Sequence, residues 1–178
     1  MFKEERNCNQ FEWKCLGDIE HGRPNLGLTV PVFAYRLLQY TLRDVMITEL
    51  GVEKANDIFI KAGRLAGAQF CENLLNRELG FNEFVAQLQG VLKDRRIGIL
   101  RVEKADMENM IFTLTVAEDL DCSGLPMTDE VVCQYDEGFI AGLLEAYTGK
   151  PFFVKEIDCW ASGDRVCRFD ARQVKADK

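Results

Sequence analysis

The chain is nearly without histidine. A single residue, His21, among 178 excludes sites built on paired imidazoles, including the HExxH and three-histidine zinc hydrolase arrangements. Neither a GxGxxG fingerprint nor a P-loop occurs, so no signature of a bound nicotinamide, flavin or nucleotide is present. No run approaches ~18 consecutive apolar residues, and no segment reads as membrane-spanning. The opening MFKEERNCNQ lacks the apolar stretch of a secretory signal, and the expected location is cytoplasmic. Positive charge is short as well: 22 Lys plus Arg stand against 29 Asp plus Glu, a formal −7. A surface of that sign repels phosphate backbones, so direct nucleic-acid binding is not expected.

Hydrophobic residues at 47% and charged residues at 29% are globular composition, too apolar for disorder. Without a repeat, a low-complexity tract or a linker, one domain is expected over residues 10–172. A loose tail is expected at 1–9 and another at 173–178. The domain occupies the chain, so no attached DNA-binding or ATPase domain is expected. Phe11 to Ile19 alternates and suggests a short strand. From Pro31 apolar residues recur at helical spacing (Phe33, Leu37, Tyr40, Leu42, Val45, Met46) until Gly51. A second helix is predicted from Glu53 to about Glu78 on a stripe of Ile58, Ala62, Leu65, Ala66, Phe70 and Leu74. Gly63 and Gly67 lie on it, where each glycine costs up to ~1 kcal/mol relative to alanine; a close neighbour or room for a ligand would explain them. A third helix covers Asn82–Lys93.

The period then shortens. Arg96–Lys104 and Asn109–Glu118 read as strands, and Glu130 to about Tyr147 as a helix capped by Thr128 or Asp129. Phe152–Cys159 and Arg165–Ala171 read as a last pair of strands around Ser162–Gly163–Asp164. This order predicts an α+β domain with a mostly antiparallel sheet packed against helices.

Seven cysteines, an odd number without a secretory signal, read as thiols or metal ligands rather than a disulfide framework. A three-residue turn at 162–164 sets Cys159 opposite Cys167, with Cβ atoms ~4.5–5.5 Å apart. That separation suits two thiolates on one tetrahedral zinc with Zn–S of ~2.3 Å. Glu156, three residues before Cys159, can join them only if the strand bends or bulges between the two. Asp158 competes as a carboxylate, but alternation points it away. Cys133, at the start of the long helix, is the remaining thiol with a favourable setting, because a helix N-terminus lowers a thiol's pKa. Cys133, Glu156, Cys159 and Cys167 thus form a candidate closed, structural zinc site; the competing reading makes the cysteines small buried hydrophobes. Cys8, Cys15, Cys71 and Cys122 have no matching metal partners. Cys71 reads as buried in the second helix, and the roles of the other three stay open.

These residues resemble the 4-vinyl reductase domain family. Cys133, Tyr135, Gly138, Gly142, Glu156-x-x-Cys159 and Cys167-x-Phe169 follow its spacing. Arg23-x-Asn25-Leu26-Gly27, Val30-Pro31-Val32, Tyr35-Arg36-Leu37-Leu38 and Ala62-Gly63-Arg64-Leu65-Ala66-Gly67 are similar to its front half. The family includes hydrocarbon-binding proteins, sensory domains of phenol-responsive activators and a protein tied to bacteriochlorophyll synthesis. Its fold is similar to a vesicle-tethering subunit that buries an acyl chain. The resemblance implies a structural zinc on Cys133, Glu156, Cys159 and Cys167, a homodimer, and an apolar pocket between helices and sheet. The phenol sensors' tryptophan and histidine fall on Phe112 and near Phe84. With both polar anchors replaced by phenyl rings, an apolar hydrocarbon, alkyl-aromatic or acyl chain is the expected ligand, with Phe84, Met110, Phe112 and Val154 as pocket candidates. Each of these four also reads as ordinary core.

The implied function is a sensory or carrier domain, reporting to a separate signalling protein if it senses. One alternative is an enzyme, or an enzyme-assisting protein, acting on tetrapyrrole vinyl groups. The closed metal site and missing cofactor signatures point away from catalysis. Another alternative is an assembly subunit whose pocket is permanently filled.

Overall fold

A computed structural model describes residues 11–128 and 130–175; the expected tail at 1–9 and the alternative cap Asp129 lie outside them. Five helices and four strands are formed: α1 (Ile19–Gly22), α2 (Val32–Leu50), α3 (Val52–Leu74), α4 (Phe81–Asp94), β1 (Ile99–Asp106), β2 (Ile111–Ala117), α5 (Gln134–Thr148), β3 (Phe152–Asp158) and β4 (Cys167–Gln173). The strands make one antiparallel sheet in the order β1-β2-β4-β3. Alternation along β3 and β4 turns Phe152, Val154, Phe169 and Ala171 inward. They meet Phe84 and Leu88 of α4 and Ile140, Leu143 and Leu144 of α5 in a single core. The predicted α+β class and antiparallel sheet are the observed ones.

The expected strand at Phe11–Ile19 is instead a 3-10 turn at Trp13–Leu16 followed by α1. Local bonds win there: Cys15 N–H reaches Glu12 O at 2.8 Å, and Asp18 caps α1 through His21 N–H. Trp13 N–H donates to Gln69 of α3 rather than to a strand partner. α3 ends at Leu74, short of Glu78, because Leu75 turns extended and Asn76 folds an Asx turn onto Glu78 N–H. α5 starts four residues later than expected, at Gln134, whose side chain donates back to Val131 O. At the other end β4 runs on to Gln173, whose N–H bonds Met110 O, so the ordered sheet passes the boundary expected at 172.

The buried face of α3 also differs from the predicted stripe. Ile58 is exposed, while Ala55, Phe59, Gly63, Gly67, Phe70 and Cys71 are buried. The glycines decide it. A Cβ on Gly63 would lie 2.0 Å from Tyr135 O, and one on Gly67 2.0 Å from Phe139 O. On α5, a Cβ on Gly138 would lie 2.0 Å from Ile60 O and one on Gly142 1.9 Å from Arg64 O. Both helices place two glycines four apart on one face, so their backbones touch without intervening side chains. Of the two readings of Gly63 and Gly67, the close neighbour is the observed one. α2, by contrast, has no buried residue. Among the described residues no helix is long and apolar enough to cross a membrane.

Candidate metal centre and adjoining cavity

The hairpin β3–β4 carries the first part of the site. The strands pair Glu156 with Phe169 and Asp158 with Arg168, with a register shift between Glu156 and Asp158. This irregularity is the bulge that co-facing of Glu156 and Cys159 requires, and both residues are buried. Asp158 points elsewhere, into an ion pair with Arg168. The turn is tighter than a plain three-residue loop: Trp160–Ser162 coils as a 3-10 turn, closed by Gly163 at φ 107. Cys133 is the N-cap of α5, where the positive end of the helix dipole favours a thiolate. Glu137, in the same first turn, accepts from Glu156 N–H at 3.0 Å and Lys155 Nζ at 2.8 Å, which fixes β3 against the helix.

Sulfur atoms of four cysteines converge: Cys122, Cys133, Cys159 and Cys167 are all buried and close enough together to hold a metal ion. Cys133 Sγ lies 3.9 Å from Cys159 Sγ and 3.8 Å from Cys167 Sγ. A tetrahedron with Zn–S of ~2.3 Å has edges of about 3.8 Å. Cys122 Sγ is 3.0 Å from Cys167 Sγ. Cys122, given no metal partners from sequence, is therefore corrected to a member of the cluster. Its loop is set by long-range bonds: Asp119 Oδ1 accepts from the N–H groups of Asp121 and Cys122. Arg36 of α2 donates to the carbonyls of Asp119, Leu120 and Ser123, and Tyr40 to that of Asp121. Only the Arg36 pattern upstream could have hinted at this.

Glu156 stands beside the thiols. Its Oε2 accepts from Cys133 N–H at 3.3 Å, and its Oε1 is buried without a partner. Burial, then the charge of Cys159, pushes its carboxyl up to about 8. The thiols split one another: bonds from its three neighbours and burial raise Cys133, while the same neighbours lower Cys159. So many acidic donors turned inward, with an orphaned carboxylate oxygen at their edge, fit a divalent cation in a closed tetrahedral sulfur site. Bound there, a metal supplies charge neutralisation and a cross-link between β3, β4, α5 and the 119–123 loop. Cys122→Ser is expected to lose metal on purification, whereas Glu156→Gln keeps it; metal content of the two variants by atomic absorption separates four-sulfur from three-sulfur-one-oxygen ligation.

Two cavities adjoin the cluster. One of about 70 Å³ lies between α4, α5 and the sheet, walled by Phe84, Leu88, Leu100, Phe112, Ile140 and Leu144 among others. Phe84 stacks on Tyr147 and Phe112 on Phe81. Of the sequence candidates, Phe84 and Phe112 form its wall; Met110 and Val154 are buried in the core outside it. The second, about 330 Å³, is walled by Trp13, Tyr35, Gln69, Phe70, Tyr135 and Phe139 with three carboxylates, Asp119, Asp121 and Asp136. The cavities share Ile97, Asp119, Asp136 and Phe139. The polar wall corrects the expectation of a lining without polar anchors. Asp136 had a signal in sequence, three and four residues before Phe139 and Ile140 on one helical face. Burial, then the charges of Asp119 and Asp121, holds its carboxyl well above the usual range. Asp119 is pushed up to about 7 by burial and then Asp121.

Residues 112–173, which hold all four cysteines, match the 4-vinyl reductase domain. The uncharacterized protein MJ1642 of Methanocaldococcus jannaschii is 32% identical over 104 residues, 58% of this chain and 62% of that protein. The chain thus spans less than two thirds of that relative. The uncharacterized protein MJ0150 of the same organism is 25% identical over 159 residues, 88% of this chain and 85% of its own. Among solved structures, the phenol-responsive sensory domain of the transcription activator PoxR, with phenol, aligns with TM-score 0.64 at 15% identity, over 83% of this chain and 76% of its own. A vinyl-4-reductase family protein from Methanocaldococcus jannaschii aligns at 0.63 and 16%, over 98% and 99%. A trafficking protein particle complex subunit 3 from Naegleria fowleri, covalently bound to palmitic acid, aligns at 0.63 and 14%, over 81% and 95%. At these identities the structures share the fold.

Proposed function

We propose that this chain, whose residues 112–173 match the 4-vinyl reductase domain, is a binding module: a sensor or carrier of a small molecule with an apolar body, stabilised by one structural zinc on Cys122, Cys133, Cys159 and Cys167. The observation that carries the reading is the apolar cavity between α4, α5 and the sheet, adjoining the cysteine cluster through the wall it shares with its neighbour. Phenol in the PoxR domain and palmitic acid on the trafficking subunit support it, since both proteins have this fold. A sensor would report occupancy to a separate protein.

Two copies pair through α2. Its inner side carries Tyr35, Arg36, Gln39 and Tyr40, bonded to the 119–123 loop. Its outer side leaves Phe33, Leu37, Leu38 and Val45 exposed, with Leu26, Leu28 and Val30 exposed just before it. A contiguous apolar patch of this kind marks an interaction surface, and a second copy brings the same patch to a two-fold axis.

Native mass spectrometry of the chain purified without chelator tests the reading. One zinc per chain, a dimer, and an exchangeable apolar adduct or an empty pocket capable of taking one support it. A metal-free chain removes the zinc, a bound coloured tetrapyrrole favours the vinyl-group alternative, and an adduct that never exchanges favours an assembly subunit.

A further inference from the structure

The larger cavity has the ingredients of a cation site. Four aromatic side chains, Trp13, Phe70, Tyr135 and Phe139, stand in its wall with the carboxylates. Aromatic faces attract ammonium groups, more strongly where water is excluded. The carboxylates are not equivalent. Asp121 receives Tyr35 Oη–H at 2.8 Å and Gln39 Nε2 at 2.8 Å. Asp119 Oδ1 receives two backbone N–H groups. Asp136 Oδ2 is closed off from solvent and has no partner. Arg36, the guanidinium facing this loop, is committed to three carbonyl oxygens and leaves Asp136 uncompensated. A buried acceptor in that state is costly unless a donor or positive charge arrives. Asp136 is also in the wall of the apolar cavity, so one molecule can touch both.

We propose that the joined cavities bind an amphiphilic amine, its ammonium group on Asp136 within the aromatic wall and its apolar tail against Phe84 and Phe112. This rests on the ligand-binding reading above and adds the chemistry of the head group. Aromatic walls favour a cation over a neutral hydroxyl, and the carboxylates repel an anionic head.

The test is calorimetric titration of the full chain, metal retained, with octylammonium, 1-octanol and octanoate, which share a tail and differ in the head. Octylammonium should bind at least tenfold more tightly than octanol, with octanoate weakest. Asp136→Asn should abolish that preference while leaving octanol affinity unchanged. Equal binding of the three, or tighter octanoate or octanol, overturns the head-group assignment and leaves the apolar pocket standing. Binding of none overturns both. Should Asp136→Asn fail to fold, the head-group series on the unaltered chain decides alone.

Discussion

Cys159→Ser is expected to strip the metal from the protein and lower its melting temperature sharply. The substitution leaves three buried sulfur atoms, Glu156 and the Asp119 loop without the cation that offsets their charge. It also releases the end of β3 from α5 and from the 119–123 loop. Structural zinc carries apparent binding energies of ~10–16 kcal/mol in small zinc-finger peptides that cannot fold without it. Here the phenylalanine core persists, and the loss is smaller, about 4 kcal/mol; at ~2–4 °C per kcal/mol for a domain of this size, melting falls by roughly 8–16 °C. Circular dichroism melts paired with metal analysis check this. A chelator should lower the unaltered protein to the same temperature and leave the variant where it is. Unchanged melting in a zinc-free variant would remove the structural role of the metal.

Gly142→Ala should be comparably severe for a purely steric reason. The added methyl would sit 1.9 Å from Arg64 O, a backbone atom that cannot rotate aside. Relief requires α3 and α5 to separate along their whole line of contact, opening gaps at Gly63, Gly67 and Gly138 together. Overpacking typically costs 1–3 kcal/mol where side chains can yield; with backbone on both sides the expected loss is about 3 kcal/mol or more. Gly90→Ala is the control, since nothing lies within 4 Å of its added Cβ in α4; it should gain up to ~1 kcal/mol from helix propensity. Urea unfolding of the pair gives opposite signs. Similar, small shifts in both would mean that α3 and α5 are not in backbone contact.

Where sequence carried local periodicity or turn chemistry, the fold was legible. Gly51 and Gly149 stop α2 and α5, and the alternation of β3 and β4 gave the hairpin that holds Cys159 and Cys167. The bulge before Cys159 could be demanded from the side-chain direction of Glu156, without knowing how the chain would make it. Cys122 was not legible, because its position depends on Arg36 and Tyr40 some eighty residues upstream, a distance over which periodicity says nothing. The α3 stripe was misplaced for a related reason. A hydrophobicity pattern scores glycine as neutral, yet Gly63 and Gly67 are the buried positions because another backbone lies on them. Asp136 was passed over as an ordinary first-turn acid, although its phase on α5 matches Phe139 and Ile140.

α5 turns three faces to three different neighbours: glycines to α3, Asp136 and Phe139 to the cavities, and Glu137 with Leu144 toward the sheet side, its first residue following the thiol of Cys133. With bare backbone against α3, no flexible side chains stand between them to absorb a movement. Metal and cavity occupant therefore act on one stiff lever. Any free energy that it transmits is reciprocal: an occupant that tightens the grip on zinc is itself held more tightly by the zinc-loaded protein, by the same factor.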